Sequence, residues 1–149
     1  MYKHILISTD GSELAQRGVD QGLSLAKAFG SKVTIVTVTE AFSVQGTITV
    51  TGWVAGRNDV ERYEADQAEY ARSVLEPIKA NAEKLGLAAD TLHVTNDSAA
   101  EGIVKTAESQ GCDLIVMSSH GRRGVQRLLL GSQTAEVLYA SKLPVLVVR

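Results

Sequence analysis

The strongest constraint on the fold is the alternation of short, apolar, β-branched runs with longer segments of helical periodicity. Short apolar runs bounded by turn residues predict buried strands, and strands that alternate with helices form βαβ units with parallel pairing. The sequence therefore predicts an α/β fold with helices on both faces of a mainly parallel sheet. The five predicted strands cover residues 4–8, 32–39, 91–95, 113–117 and 144–148.

The segments between these strands carry helix start and stop signals. Ser12 and Gly30 are suited to cap the two ends of the first helix, and Ser98 with Glu101 forms a capping box at the start of the third. The second helix contains Pro77, which predicts a kink. The four predicted helices cover residues 13–29, 59–85, 99–110 and 133–141.

The order of these elements predicts where a ligand would bind. Five parallel strands joined by right-handed crossovers form a single-domain, doubly wound, Rossmann-like sheet in which the strand order reverses once. Ligands bind such sheets in the crevice at that reversal, beyond the carboxyl ends of the strands. We expect the crevice between the first and fourth strands, where Asp10 and His120 would face one another.

A candidate cradle for a polyphosphate follows the fourth strand. It consists of the run S-S-H-G from Ser118 to Gly121, nine further residues, and then Gly131 and Ser132. The two glycines let a ligand approach the backbone, and Ser132 is predicted to cap a helix whose first N–H groups attract anions. The pattern matches neither a Walker A loop nor G-x-G-x-x-G. Ordinary turn and cap chemistry explains the same residues, so spacing alone leaves both interpretations open.

Residues 41–58 interrupt the alternation of strands and helices. They contain Gly46, Gly52, Trp53 and Gly56 and hardly any charge. Connections of this length often cover a ligand or a partner surface, and in other proteins they are plain surface insertions. Both alternatives stay open.

Composition excludes several classes of partner. A net charge of −2 provides no global attraction for nucleic acid or for an acidic membrane surface. Cys112 is the only cysteine, so no intramolecular disulfide forms. No apolar run approaches the ~20 residues of a membrane helix, and no group of His, Cys, Asp and Glu has metal-ligand spacing. We expect a cytoplasmic protein without a resident protein-bound metal.

Three features together resemble a known family. Asp10 ends the first strand, the S-S-H-G-x9-G-S cradle follows the fourth, and the chain closes with Pro-Val-Leu-Val-Val. In these respects, and over essentially all 149 residues, the chain resembles the universal stress protein family, the UspA-like domain of the adenine nucleotide alpha hydrolase-like fold. The ATP-binding branch of that family has the motif G-x2-G-x9-G-(S/T). Gly121, Gly131 and Ser132 match it, whereas Ser118 replaces the first glycine and either weakens binding or adds a hydrogen bond.

The resemblance implies a site for ATP, with ADP or AMP as alternatives and with Mg²⁺ or Mn²⁺ bound through the phosphates. It implies that Thr9 and Asp10 meet the adenine edge and that Val38 packs against the ring. The remaining implied contacts are Met117 and Ser118 along the adenosine, His120 and Gly121 at the ribose and phosphates, and Gly131, Ser132, Gln133 and Thr134 around the phosphates. Nearby arginines at 122, 123 and 127 either add charge for phosphate or are plain exposed side chains.

The resemblance also bears on activity and assembly. Members of the family are regarded mainly as nucleotide-responsive stress or signalling proteins, some with weak ATPase activity. The sequence has no Walker lysine and no convincing Ser-His-Asp order, so we expect a binding module rather than an enzyme. The resemblance implies a homodimer through Val145–Val148. Burial of that strand on both faces inside its own sheet is the alternative. The alternative functions are a dimeric interaction protein with an empty cradle and a slow ATPase.

Overall fold

A computed structural model describes residues 1–43, 56–119 and 130–149. Five strands and four helices alternate through these residues, which confirms the predicted α/β class. In chain order they are β1 (His4–Ser8), α1 (Glu13–Phe29), β2 (Lys32–Thr39), α2 (Arg57–Lys84), β3 (Ala89–Thr95), α3 (Ala99–Ser109), β4 (Leu114–Ser118), α4 (Ser132–Ala140) and β5 (Val145–Val148).

The strands form one parallel sheet with the order β3-β2-β1-β4-β5. The chain moves outward from β1 to β3 and then returns to place β4 on the other side of β1. Ile5 lies beside Val33 of β2 on one side and beside Leu114 of β4 on the other. The single reversal of strand order thus lies between β1 and β4, as the sequence predicts.

Two apolar layers cover the sheet. Ile5 and Ile7 of β1 face the layer formed with α1 and α2, whereas Leu6 faces the layer formed with α3 and α4. Every residue of β1 is buried, because helices cover both faces of the central strand. This arrangement explains why β1 has a continuous apolar run instead of the polar alternation of a half-exposed strand.

The second helix begins earlier than predicted. The N–H of Gly56 donates to Asp59 Oδ2 over 2.8 Å, and α2 starts at Arg57. The carboxylate of Asp59 satisfies a donor at the helix start and lies near its positive end, so residues 57 and 58 belong to the helix and not to the connection. The helix continues through Pro77 to Lys84. The rest of the predicted connection, residues 44–55, lies outside the described residues.

The predicted capping box of α3 is only half present. Ser98 Oγ accepts from the N–H of Glu101 over 3.2 Å, as expected. The N–H of Ser98 donates instead to Asn96 Oδ1 over 2.9 Å. The carboxylate of Glu101 pairs with Lys105 Nζ over 2.6 Å. The bond expected from the N–H of Ser98 to the Glu101 carboxylate is therefore absent, because Asn96 already accepts from that N–H.

The last strand lies at an edge of the sheet. Among the described strands β5 pairs only with β4, and its four residues are all half-buried. The alternative that this strand is enclosed within its own sheet is therefore wrong. β3 forms the opposite edge and begins at Ala89, two residues before the predicted start. Lys32 Nζ pairs with Asp90 over 2.8 Å across that start.

Two smaller features follow from the packing. No helix in the described ranges has the length and apolarity needed to cross a bilayer. Cys112 is buried in the layer below α3. Burial raises the pKa of its thiol to about 11, so the thiolate needed for reaction is scarce at neutral pH.

The amino ends of the strands contain a buried histidine that makes stability depend on pH. His4 Nε2 lies 2.8 Å from Thr34 Oγ1. Burial and the charge of Lys32 lower the pKa of His4, against opposing contributions from a backbone hydrogen bond with Gln110 and the carboxylates of Asp113 and Asp90. Since the unfolded chain binds the proton more readily, the stability that neutral His4 provides is present above about pH 6.5 and is lost as pH falls.

We therefore expect the free energy of unfolding to fall between about pH 6.5 and pH 5, with a slope from His4 of at most about 1.4 kcal/mol per pH unit. Burial also lowers the pKa of His93, so both histidines contribute. Urea denaturation of the natural chain and of His4→Gln across this range checks the share of His4. A slope that is unchanged in His4→Gln contradicts the assignment.

Candidate functional site

The candidate site is the crevice at the carboxyl ends of β1 and β4. Pairing of Ile7 with Val116 aligns the two strands, so Thr9 and Asp10 leave the sheet beside Ser118 and Ser119. Thr9, Ser118 and Ser119 are buried. The topology thus brings together the two segments that the sequence assigned to a common site, although they are more than one hundred residues apart.

The segment after β1 is a tightly bonded turn. The N–H of Thr9 donates to the Val36 carbonyl of β2 over 3.0 Å. Thr9 Oγ1 accepts from Gly11 N over 3.2 Å, and Asp10 Oδ1 accepts from Ser12 N over 3.0 Å. These bonds give Asp10 the turn-forming role that its neighbours Gly11 and Ser12 suggest. They also hold its carboxylate at the mouth of the crevice.

The start of α4 is fastened to the end of β4. The N–H of Gly131 donates to the Ser119 carbonyl over 2.9 Å. Thr134 Oγ1 is within 3.2 Å of the Ser118 carbonyl and 3.1 Å of the Ser119 carbonyl, and Thr134 is buried. The first turn of α4, whose N–H groups lack partners within the helix, is therefore held at the crevice and directs its positive end there.

The cap of α4 differs from the prediction. Gly131, with φ −57° and ψ 146°, is the N-cap, and Ser132 is the first residue of the helix. The carbonyl of Gly131 accepts from Ala135 N over 2.9 Å. Ser132 is exposed. The prediction of Ser132 as N-cap is therefore wrong, because the bond between Gly131 and β4 sets the helix start one residue earlier.

Gln133 is attached to the neighbouring helix. Its Oε1 accepts from the N–H of Ala100 in the first turn of α3 over 2.9 Å. The side chain thus ties the starts of α3 and α4 together, so the phosphate contact predicted for Gln133 would have to use its backbone N–H. No sequence pattern predicts this bond, since residues 33 positions apart form it.

Val38 and Met117 lie on the same side of the sheet. Met117 belongs to the apolar layer beneath α3 and α4, and Val38 packs against that layer. The methyl groups of Val38 lie 2.9 and 3.1 Å from the position that a Cβ would take at Gly102 of α3. Their strands flank β1 and are about 9.5 Å apart. The two apolar residues assigned to the base therefore share the side of the sheet on which α4 begins.

Two tyrosines of α2 contact loops at the carboxyl ends of the strands, Tyr70 at the crevice and Tyr63 at the loop after β2, and the sequence reasoning missed both. Tyr70 Oη donates to the Asp10 carbonyl, and Tyr63 Oη donates to the Glu40 carbonyl over 3.1 Å. Their spacing of seven residues, two helical turns, places them on one face. This seven-residue spacing of two tyrosines in a polar helix is the sequence pattern that could have identified them.

Several predicted site residues fall outside the described ranges. His120 and Gly121 lie within residues 120–129, as do the arginines at 122, 123 and 127. Their assignments stay predictions. Within the described part of the chain, no group of three or more His, Cys, Asp and Glu residues is placed to hold a metal ion.

A separate groove of about 710 Å³ lies between α3 and α4 on their outer surface. Its walls include Val104 of α3 and Tyr139 of α4, and Tyr139 is 95% exposed. Charged residues Glu101, Lys105 and Glu136 border it.

The anchor at Thr134 predicts a measurable loss of stability. Thr134→Val keeps the shape of the side chain but removes the hydroxyl that lies within hydrogen-bond distance of the Ser118 carbonyl at the end of β4 and of the Ser119 carbonyl just after it. We expect the free energy of unfolding to fall by about 1–3 kcal/mol. Denaturant unfolding measures it, with Thr134→Ser, which keeps the hydroxyl, as the matched control. Equal losses in the two variants contradict a role for the hydroxyl.

Comparison with known proteins agrees with this architecture. The universal stress protein family profile matches residues 1–149. Universal stress protein MJ0577 of Methanocaldococcus jannaschii is 33% identical over 156 aligned residues, which span 100% of this chain and 96% of the relative. The solved structure of MJ0577 superposes with a TM-score of 0.81 and covers 99% of this chain and 96% of that one.

More distant solved structures share the fold. A universal stress protein in complex with cAMP is 24% identical, has a TM-score of 0.69, and covers 99% of this chain and 97% of its own. A universal stress protein from Archaeoglobus fulgidus in complex with dAMP is 17% identical, with a TM-score of 0.60 and coverage of 99% and 98%. With the whole-chain profile match and the 33% identity to MJ0577, the chain belongs to the universal stress protein family.

Proposed function

We propose that this protein binds an adenine nucleotide in the crevice between β1 and β4 and acts as a nucleotide-responsive stress or signalling module. One observation carries the proposal. The hydrogen bond from Gly131 N to the Ser119 carbonyl brings the positive end of α4 to the strand pair where the sheet order reverses. Anion-binding helix starts at such crevices are the usual phosphate sites of α/β folds.

The described residues suit the parts of a nucleotide. The carboxylate of Asp10 accepts hydrogen bonds and suits the amino group of adenine, and Val38 with Met117 provides apolar surface for the ring. Backbone N–H groups from Gly131 to Thr134 suit phosphate oxygens. ATP is the proposed ligand, with ADP or AMP as alternatives. Mg²⁺ or Mn²⁺ would be held mainly by the phosphates, as Mg²⁺ usually is.

The related structures support the class of ligand. The two more distant relatives were solved with cAMP and with dAMP, and both ligands carry adenine. They share with ATP the adenine, a pentose and one phosphate but lack its β- and γ-phosphates, and we assign the base here to the side of the sheet that carries Val38 and Met117. The support is therefore stronger for adenine than for a triphosphate.

Titration of ATP·Mg²⁺ into nucleotide-stripped protein by calorimetry tests the proposal. We expect saturable binding, and we expect Ser118→Gly, which restores the family motif, to bind with equal or higher affinity. Ser118 is buried at the end of β4, where a Cβ and hydroxyl narrow the approach to the backbone. Failure of both proteins to bind at any accessible concentration contradicts the proposal.

We propose binding rather than turnover as the main activity. Rapid phosphoryl transfer needs a residue that orients the attacking group and a cationic clamp on the transferred phosphate. His120 and the nearby arginines are the candidates, and they stay predictions. Hydrolysis well above the spontaneous rate that disappears in His120→Ala would make the protein an ATPase and overturn this part of the proposal.

We also propose that the protein forms a homodimer through Val145–Val148. β5 is an edge strand with four half-buried apolar residues. Unpaired edges of this kind tend to pair with another chain, and a second copy related by a two-fold axis would present the same edge. Light scattering at micromolar concentration should give the mass of two chains. A monomer under those conditions contradicts the assignment.

A further inference from the structure

The first half of α2 extends beyond the sheet. The helix has 28 residues and is about 42 Å long, whereas the eight residues of β2 span about 26 Å. The buried residues of α2 are Ala71, Leu75, Ile78 and Ala82, and all lie in its second half. Residues 57–70 therefore pass the carboxyl ends of the strands, beside the candidate site.

Two tyrosines connect this overhanging half to the loops of the crevice. Tyr63 Oη donates to the Glu40 carbonyl after β2, and the ring of Tyr63 packs edge-to-face on Phe42 at a centroid distance of 5.3 Å. Tyr70 Oη donates to the Asp10 carbonyl after β1. The helix thus contacts both loops through the same type of bond.

The contact at β1 is also closely packed. Gly11 has φ +74°, and a Cβ there would lie 2.7 Å from Val74 Cγ2 and 3.0 Å from Tyr70 Oη. The loop and α2 can approach this closely only because Gly11 has no side chain and takes the left-handed conformation. The Asp10 peptide therefore lies directly under α2, with Tyr70 as its hydrogen-bond donor.

We propose that Tyr70 is a positioning residue for base recognition, an inference that rests on the proposed adenine site. The Tyr70 hydroxyl holds the Asp10 peptide in place. Two bonds within the turn, from Gly11 N to Thr9 Oγ1 and from Ser12 N to Asp10 Oδ1, fix the Thr9 and Asp10 side chains relative to that peptide. Tyr70 thereby sets the direction in which Thr9 and Asp10 are presented to the base.

This role affects selectivity as well as affinity. A carboxylate held in one orientation accepts a hydrogen bond from the amino group of adenine, whereas guanine presents a carbonyl oxygen at the corresponding position. A site built to hydrogen-bond one group rejects a ligand that leaves its polar atoms unpaired. When the Asp10 peptide is released, the carboxylate can turn away, and the preference for adenine should decrease.

Tyr70→Phe removes only the hydroxyl and tests the inference. We expect the affinity for ATP to fall by about three- to tenfold, as loss of one hydrogen bond predicts. We expect the affinity for GTP to change by less than about twofold. GTP does not offer the adenine amino group to Asp10, so it has no such hydrogen bond to lose. Tyr63→Phe is the matched control, because it removes the same type of bond from the same helix at the Glu40 loop. It should retain the ratio of ATP to GTP affinity.

Hydrogen exchange provides a readout that needs no ligand. Exchange of the Gly11 and Ser12 amides should be faster in Tyr70→Phe than in the natural chain or in Tyr63→Phe, because their acceptors lie on Thr9 and Asp10 of the released turn. Unchanged exchange at these two amides overturns the inference even if nucleotide affinity falls.

The outcomes distinguish this inference from the proposed function. Absence of ATP binding in the natural chain overturns both. Binding in the natural chain with unchanged affinity and selectivity in Tyr70→Phe overturns only the role of Tyr70. A parallel loss of ATP and GTP affinity, or the same loss of selectivity in Tyr63→Phe, indicates general support by α2 and also overturns it.

Discussion

Ile7→Ala is expected to lower the free energy of unfolding by about 2–5 kcal/mol. Ile7 is fully buried in β1, the central strand of the sheet. Its Cδ1 lies 2.6 Å from the position that a Cβ would take at Gly22 of α1. The helix therefore rests on this side chain, and truncation leaves a cavity between two elements that the rest of the core holds in place. Urea denaturation at constant pH measures the loss.

Leu14→Ala provides a control in α1, the helix that packs on Ile7, because Leu14 is 38% exposed. Its truncation removes less buried surface, so we expect a loss below about 1 kcal/mol. A loss at Ile7 no larger than the loss at Leu14 contradicts the position assigned to β1 in the core.

The contact between Ile7 and Gly22 predicts that Gly22→Ala destabilises the natural chain but stabilises the Ile7→Ala variant. In the natural chain, Gly22→Ala places a methyl group against Ile7 and should cost about 1–3 kcal/mol. In the Ile7→Ala background that methyl group fills part of the cavity, and alanine is also the better helix former by about 1 kcal/mol. Gly22→Ala should then stabilise the protein. The same effect in both backgrounds contradicts the direct contact between α1 and Ile7.

Gly131→Val is expected to reduce nucleotide affinity at least tenfold, a loss of about 1.4 kcal/mol or more. Gly131 lies at the start of α4, where the proposed phosphate contacts begin, and a branched side chain there obstructs close approach to the backbone. Its φ of −57° and ψ of 146° suit any residue. The variant should therefore fold with a free energy of unfolding within about 1 kcal/mol of the natural chain.

Calorimetric titration with ATP·Mg²⁺, together with ligand-free denaturation, separates these effects. Gly131→Ala adds a single methyl group and should give a smaller loss of affinity than Gly131→Val. Unchanged affinity in the valine variant would place the phosphates elsewhere. If Gly131→Val loses affinity and also fails to fold in the ligand-free denaturation experiment, the lost affinity is no evidence for phosphate binding at Gly131.

The fold could be predicted from local signals, because β1 and β4 contain short apolar runs, β2 is a β-branched run, and helices with their own caps lie between the strands. Ser12 Oγ accepts from Ala15 N, and Gly30 adopts the left-handed conformation, as expected from residue type. Boundaries were less well predicted where a distant residue decides them. Ser132 was predicted as a cap from its type, yet the bond between Gly131 and Ser119 determines where α4 begins.

The site was predictable to the extent that strand order determines it. Once β1 and β4 are adjacent, Asp10 and Ser118 must lie at a common edge, and the sequence places both correctly. The bond from Ala100 N to Gln133 and the hydroxyl bond of Tyr70 were not predictable, because each depends on how two elements pack. Helical spacing places Tyr63 and Tyr70 on one face but does not say which loops they meet.

The proposed adenine-nucleotide site in the crevice between β1 and β4 is tested most directly by NMR. Backbone amide resonances are followed while ATP·Mg²⁺ is added to nucleotide-stripped protein. We predict saturable shifts concentrated at residues 9–12, 38–40, 117–119 and 131–134, with the amino ends of the strands unaffected. Shifts confined to the groove between α3 and α4 around Tyr139, or no shifts at saturating nucleotide, would contradict it.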